Sequence, residues 1–176
     1  MKNQEKNQGK NRGFTIVETL VAVAILMIAI AGPLTIAQKS LISAIYAKDQ
    51  VTATFLAQDA MEYVKNMRDA NIDTFAEWIN EMVFQCGEHG PCNVDTTTST
   101  YNVTTEYDLY LLDNRGYFPD STQGGKKSIF SREIYITPEM TNINLDEAKV
   151  KVIVKWKNGR LQNSVILEEQ IYNVIL

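Results

Sequence analysis

Residues 14–37 read FTIVETLVAVAILMIAIAGPLTIA, a 24-residue apolar run with one charge, Glu18, and one interruption, Gly32-Pro33. As an α-helix it would rise about 36 Å, enough to cross a hydrocarbon core of roughly 30 Å. A cleaved secretory signal has a shorter apolar core and ends in a small-residue site. Here Ala29-Ile30-Ala31 lies inside the run with no loop-like sequence after it, so a retained span is expected. Pro33 removes a backbone donor and crowds the turn before it, which predicts a kink at Gly32-Pro33. Glu18 is the costly residue, because a carboxylate in hydrocarbon is tolerated only when paired or within reach of water. Thr15 and Thr19 are expected to bond back to helix carbonyls.

The charge around the run gives its orientation. Residues 1–13 carry Lys2, Lys6, Lys10 and Arg12 against Glu5, a net +3 in a chain of net charge −4, which leaves −7 for everything after Gly13. A basic head before a span stays on the cytoplasmic side, so the C-terminal part lies outside. The acidic remainder argues against general nucleic-acid binding, which draws most of its affinity from positive charge.

Beyond the span no loop is read until about Asn71. Leu56, Ala60, Val64 and Met67 recur at spacings of four, four and three, and Leu41 and Ile45 begin a similar face with Ala44, Ala47 and Val51 beside it. This is helix periodicity, and the stripe must be buried against another layer. One helix from Phe14 to about Asp69 would be about 84 Å long, a length that suits a filament spine better than a free domain. The division expected is a basic leader at 1–13, an apolar helix at 14–37, its amphipathic continuation at 38–70, and an outer region at 71–176.

Within the outer region NIDTFAEWINEMV reads as a short helix with Phe75, Trp78, Ile79 and Met82 on one side. Cys86 and Cys92 in CGEHGPC are the two cysteines of the chain. Outside the cytoplasm a disulfide between them is the expectation; free thiols are the alternative. A metal site that also used His89 would need a fourth ligand from elsewhere. YNVTTEYDLYLLD reads as one or two strands, with Tyr107, Leu109 and Leu111 alternating against Asp108 and Tyr110. RGYFPDSTQGGKK reads as a surface loop, and SIFSREIYITPE as a strand ending at or before Pro138. KVKVIVKW is the clearest strand, with Val150, Val152, Val154 and Trp156 on one face and Lys149, Lys151, Ile153, Lys155 and Lys157 on the other. Asn158-Gly159 predicts a tight hairpin into a last strand, RLQNSVILEEQIYNVI. The fold class expected is α+β: a long N-terminal helix on an antiparallel sheet of three or four strands. The lysines read as solvent-face charges that guard the strand against edge pairing.

Catalytic chemistry finds little support. His89 sits in the cysteine loop beside Glu88, and no phosphate-binding glycine loop, zinc-protease motif or calcium loop occurs. No catalytic residue, metal or cofactor is expected.

The segment GFTIVETL resembles the class III signal of type IV pilins and pseudopilins, with Gly13, Phe14 and Glu18 at the matching positions. That resemblance implies cleavage between Gly13 and Phe14 by a prepilin peptidase, and N-methylation of Phe14. It also implies pairing of Glu18 with the N-terminal amine of a neighbouring subunit. ATFLAQDAMEYVKNMRD and the closing KVKVIVKWKNGRLQNSVILEEQIYN are similar to PilV-like minor pilins and minor secretion pseudopilins. The partners implied are the peptidase, other pilin subunits, an inner-membrane assembly platform and membrane lipid. The protein would then be a single-pass inner-membrane precursor with its C-terminal domain outside the cytoplasm, later built into a filament. A type II secretion pseudopilin and a competence minor pilin share this frame. A membrane-anchored binding module that never polymerises would need neither the cleavable bond nor Glu18.

Overall fold

The computed structural model describes residues 13–70, 75–97, 103–113, 115–141 and 144–172. The leader before Gly13 and the end of the closing segment, residues 173–176, lie outside the described residues. Helix α1 runs Ile16–Ala70 and passes through Pro33 without losing its helical assignment. By its internal contacts the chain divides between Ile45 and Tyr46.

Among the described residues the first unit, up to Ile45, holds only residues 13–15 and the start of helix α1, and its large apolar side chains, from Phe14 and Ile16 to Ile42 and Ile45, are exposed. A single helix has no second layer against which to bury a stripe. The expectation that Leu41, Ile45 and Val51 begin the packed face is corrected: all three are exposed, and the buried stripe starts at Ala53.

In the second unit the buried residues of α1 are Ala53, Leu56, Ala57, Ala60, Met61, Tyr63 and Val64, a stripe at helical spacing, with Met67 partly buried beside it. They form one core with the inward faces of a five-stranded antiparallel sheet. Its strands are β3 (Asp108–Leu112), β4 (Gly116–Phe118), β5 (Lys126–Thr141), β6 (Asn144–Asn158) and β7 (Leu161–Tyr172), in the order β4-β3-β5-β6-β7. Helix α2 (Phe75–Val83) adds Trp78, Ile79 and Met82 to the core and continues into a wide helical turn, Phe84–Glu88. A short ribbon joins β1 (Asn93–Val94) to β2 (Val103–Thr104).

Four details depart from expectation. The sheet gains a strand because Tyr117 and Phe118, read as loop, pair with Leu111 and Tyr110 and bury Phe118. Leu111 is exposed although it alternates with fully buried Leu109. Strand β5 runs through Pro138, which pairs with Ala148. The reason is register: Arg132 and Ile134 donate their N–H groups away from β6, to Tyr107 and Cys92. Position 138 shares that parity, so the donor that proline lacks is not one that β6 uses. Finally, Asn158 pairs with Leu161, so the hairpin loop is Gly159-Arg160, with Gly159 at φ +62°.

The lysine row is also corrected. Strand β6 is central rather than an edge, so its lysines guard no edge. They pair with carboxylates on both flanking strands: Lys149 and Lys151 with Glu168 at 2.8 and 3.1 Å, and Lys155 with Glu133 at 2.6 Å. Cross-strand neutralisation of this kind removes most of the positive field a polyanion would need.

Candidate functional site at the start of the first helix

Gly13, Phe14 and Thr15 precede the helix, and Ile16 opens it. The boundary has a local cause. The Glu18 N–H donates to Thr15 Oγ1 at 3.3 Å, and the Thr19 N–H donates to the Thr15 carbonyl at 3.2 Å, the first turn's opening bond. Thr15 is therefore the N-cap, which satisfies one of the donors that every helix start leaves open. Thr15 was expected to bond back to a carbonyl; it accepts instead. Thr19 does bond back, to the Ile16 carbonyl at 2.8 Å. The signal for the cap was in the sequence: Thr15-x-x-Glu18 before an apolar run is a capping-box spacing.

Phe14, Val17, Glu18, Val21 and Ile25 line one shallow groove along the helix flank. Glu18 is thus a single exposed carboxylate in the first helical turn, set among apolar side chains. The helix start is the positive end of its dipole, which favours a carboxylate there and disfavours an added cation unless a counter-charge stands close.

Gly13 is informative for what it lacks. A Cβ built on it meets nothing within 4 Å, and its φ is not in the left-handed region. The fold does not require glycine there. Gly32 also has open space around it, and the Thr35 hydroxyl donates to the Gly32 carbonyl at 2.8 Å.

In the second unit Cys86 and Cys92 form a disulfide. Both are fully buried, and Cys92 exchanges two backbone hydrogen bonds with Ile134 of β5, at 2.9 and 2.8 Å. Gly87 between them is required by packing, because a Cβ would stand 2.5 Å from the Ile136 carbonyl oxygen. His89 holds its own turn: its Nδ1 lies 3.0 Å from the Phe84 carbonyl, and its ring packs tilted against Phe84, with centroids 4.1 Å apart. Among the described residues no group of three or more metal-binding side chains occurs.

One residue the sequence reading missed is Arg132, which is fully buried. Its guanidinium donates to Asn93 Oδ1 at 2.8 Å, the Leu56 carbonyl at 3.1 Å and the Val94 carbonyl at 2.6 Å, tying β5 to α1 and β1. Burial pushes its pKa down to about 10, against the opposing pull of Asp59 and Asp95. Strand parity could have flagged it, since Arg132 shares the inward face with Ile134 and Ile136.

Residues 8–32 match the family model described as the prokaryotic N-terminal methylation motif. The match covers the leader end, Gly13–Phe14 and Glu18, and supports a pilin-like protein anchored by one apolar helix. Neither the curated proteins nor the solved structures give a match to the chain.

Proposed function

We propose that the chain is the precursor of a minor pilin, a non-enzymatic subunit of a type IV pilus-like filament. A prepilin peptidase removes residues 1–13, the new Phe14 amine is methylated, and the apolar helix stays in the membrane until assembly. Glu18 then pairs with the Phe14 amine of a neighbouring subunit. The observation that carries this reading is Glu18 itself, an isolated carboxylate on an uncovered apolar helix, four residues past Phe14 and the Gly13 before it, a glycine that the fold does not need. A buried charge is tolerable only when an opposite charge meets it, and cleavage creates that charge. A binding module that never polymerises would leave both features without a purpose. For DNA uptake, the carboxylate partners of Lys149, Lys151 and Lys155 count against a nucleic-acid surface on this sheet.

Mass spectrometry of membrane material, with and without an active peptidase, tests the processing. The expected mature chain begins at N-methylated Phe14; residues 1–13 retained in the presence of active peptidase would refute it. Glu18→Ala should insert and be cut as wild type, yet enter filaments at less than about a tenth of the wild-type level, as loss of one buried charge pair implies. Recovery of the variant in sheared filaments at wild-type levels would rule out the pairing.

A further inference from the structure

We propose that Thr15 is a positioning residue for processing: its hydroxyl fixes the helix start at Ile16 and so keeps the Gly13 carbonyl out of the helix. The inference rests on the processing reading above. Its basis is the pair of hydrogen bonds at the helix start, Glu18 N–H to Thr15 Oγ1 at 3.3 Å and Thr19 N–H to the Thr15 carbonyl at 3.2 Å.

A helix without a cap can bond the donors at its start by growing one turn upstream, which moves the open donors away from the membrane interior, where an unpaired N–H is costly. Each helical N–H bonds to the carbonyl four residues earlier. Growth past Thr15 would therefore give the Val17 N–H to the Gly13 carbonyl and the Glu18 N–H to the Phe14 carbonyl. The Gly13 carbonyl is the group that hydrolysis attacks. Water adds to its carbon, the bond to the Phe14 nitrogen breaks, and that nitrogen takes a proton, leaving a Gly13 carboxylate and a Phe14 ammonium. The developing oxyanion on Gly13 must be met by donors of the peptidase. A helical bond from Val17 would compete for that oxygen and coil the backbone that the enzyme has to hold. The cap removes the competition by giving the Glu18 N–H a side-chain partner. Gly13, with open space around it, leaves the same backbone accessible.

The test uses full-length precursor in membranes that contain the peptidase, with each variant compared at equal amounts of inserted chain. Thr15→Val keeps the shape and removes the acceptor; Thr15→Ser and Thr15→Asn keep an acceptor of different shape. Cleavage of Thr15→Val should slow by roughly three- to ten-fold, the factor an N-cap typically controls, while the Ser and Asn variants stay within about two-fold of wild type. An isotope label on the Gly13 carbonyl carbon should shift toward its helical value in Thr15→Val and not in Thr15→Asn. Wild-type cleavage of Thr15→Val, or no helical shift at Gly13, overturns the inference and leaves the processing reading standing. If Thr15→Asn is cut as slowly as Thr15→Val, the peptidase reads the threonine directly and the capping role is overturned. A wild-type chain left uncut at Gly13–Phe14 overturns both.

Discussion

The first unit, up to Ile45, and the second, from Tyr46, are built on opposite principles. Among its described residues the first exposes every large apolar side chain and places one carboxylate, Glu18, and its helix cap, Thr15, beside Gly13 and Phe14. The second gathers buried apolar residues from its helices and its sheet into one core and even draws a guanidinium into it. A helix with no core of its own gains nothing from remaining alone, so its surroundings, lipid or other helices, supply the missing contacts. A region with a complete core can vary its surface freely. Function is therefore legible in the first unit and stability in the second, and substitutions should separate the two.

The sharpest separation is expected at Arg132. Arg132→Ala removes the guanidinium donor from the Leu56 and Val94 carbonyls and from Asn93 Oδ1, which keeps the Val94 N–H, and opens a cavity, a loss of about 3–5 kcal/mol. Trp78 and Trp156, the two tryptophans of the chain, both lie in the second unit, so denaturant unfolding followed by tryptophan fluorescence reads that unit alone. Cleavage at Gly13–Phe14 should be unchanged. A fall in cleavage that tracks the fall in stability would break the comparison, because the two units would then be coupled.

A smaller effect is expected at the disulfide. Replacing Cys86 and Cys92 together by alanine should lower stability by about 2 kcal/mol, as expected for a short closed loop. The residual anchor is the pair of backbone bonds between Cys92 and Ile134 and the close seat of Gly87 on Ile136. Fluorescence-detected unfolding again measures it. An unchanged transition would mean that these contacts hold the loop without the covalent link.

These two sites also mark where sequence reading succeeds and where it stops. The long helix and the alternation of β6 follow from local pattern, because spacing alone assigns a residue to a face, and the cysteine pair follows from two cysteines in a segment expected outside the cytoplasm. Arg132 was not found because the pattern of SIFSREIYIT places a charge on the inward face, and only the tertiary partners Asn93, Leu56 and Val94 explain it. Strand β4 was missed because three residues between two turns carry no period, and the burial of Phe118 is set by its meeting the sheet. The lysines of β6 were placed on the correct face but given the wrong task, since sheet order depends on pairings between distant segments. At the helix start, Gly13, Phe14 and Glu18 were marked by the resemblance of their segment to the class III signal, whereas the capping role of Thr15 was present in the same letters and assigned to the wrong bond.

The weakest effect, and the finest test of the comparison, lies on the outer face of the sheet. Glu168 accepts hydrogen bonds from Lys149 and Lys151, which hold its carboxyl below the ordinary 4.5. A carboxyl with a lowered folded pKa binds fewer protons folded than unfolded as the medium acidifies. Its contribution to stability is therefore complete above about pH 4.5 and is lost as pH falls through the folded value. Glu168→Gln keeps the shape and removes the charge, so its melting temperature should fall below wild type at neutral pH by at most about 3 °C, because exposed pairs are screened by solvent. The difference should shrink toward zero in acid and also at high salt. A gap that is constant with pH would assign the effect to packing rather than charge. Membrane insertion and cleavage should not respond, since Glu168 and the Gly13–Phe14 bond belong to different units.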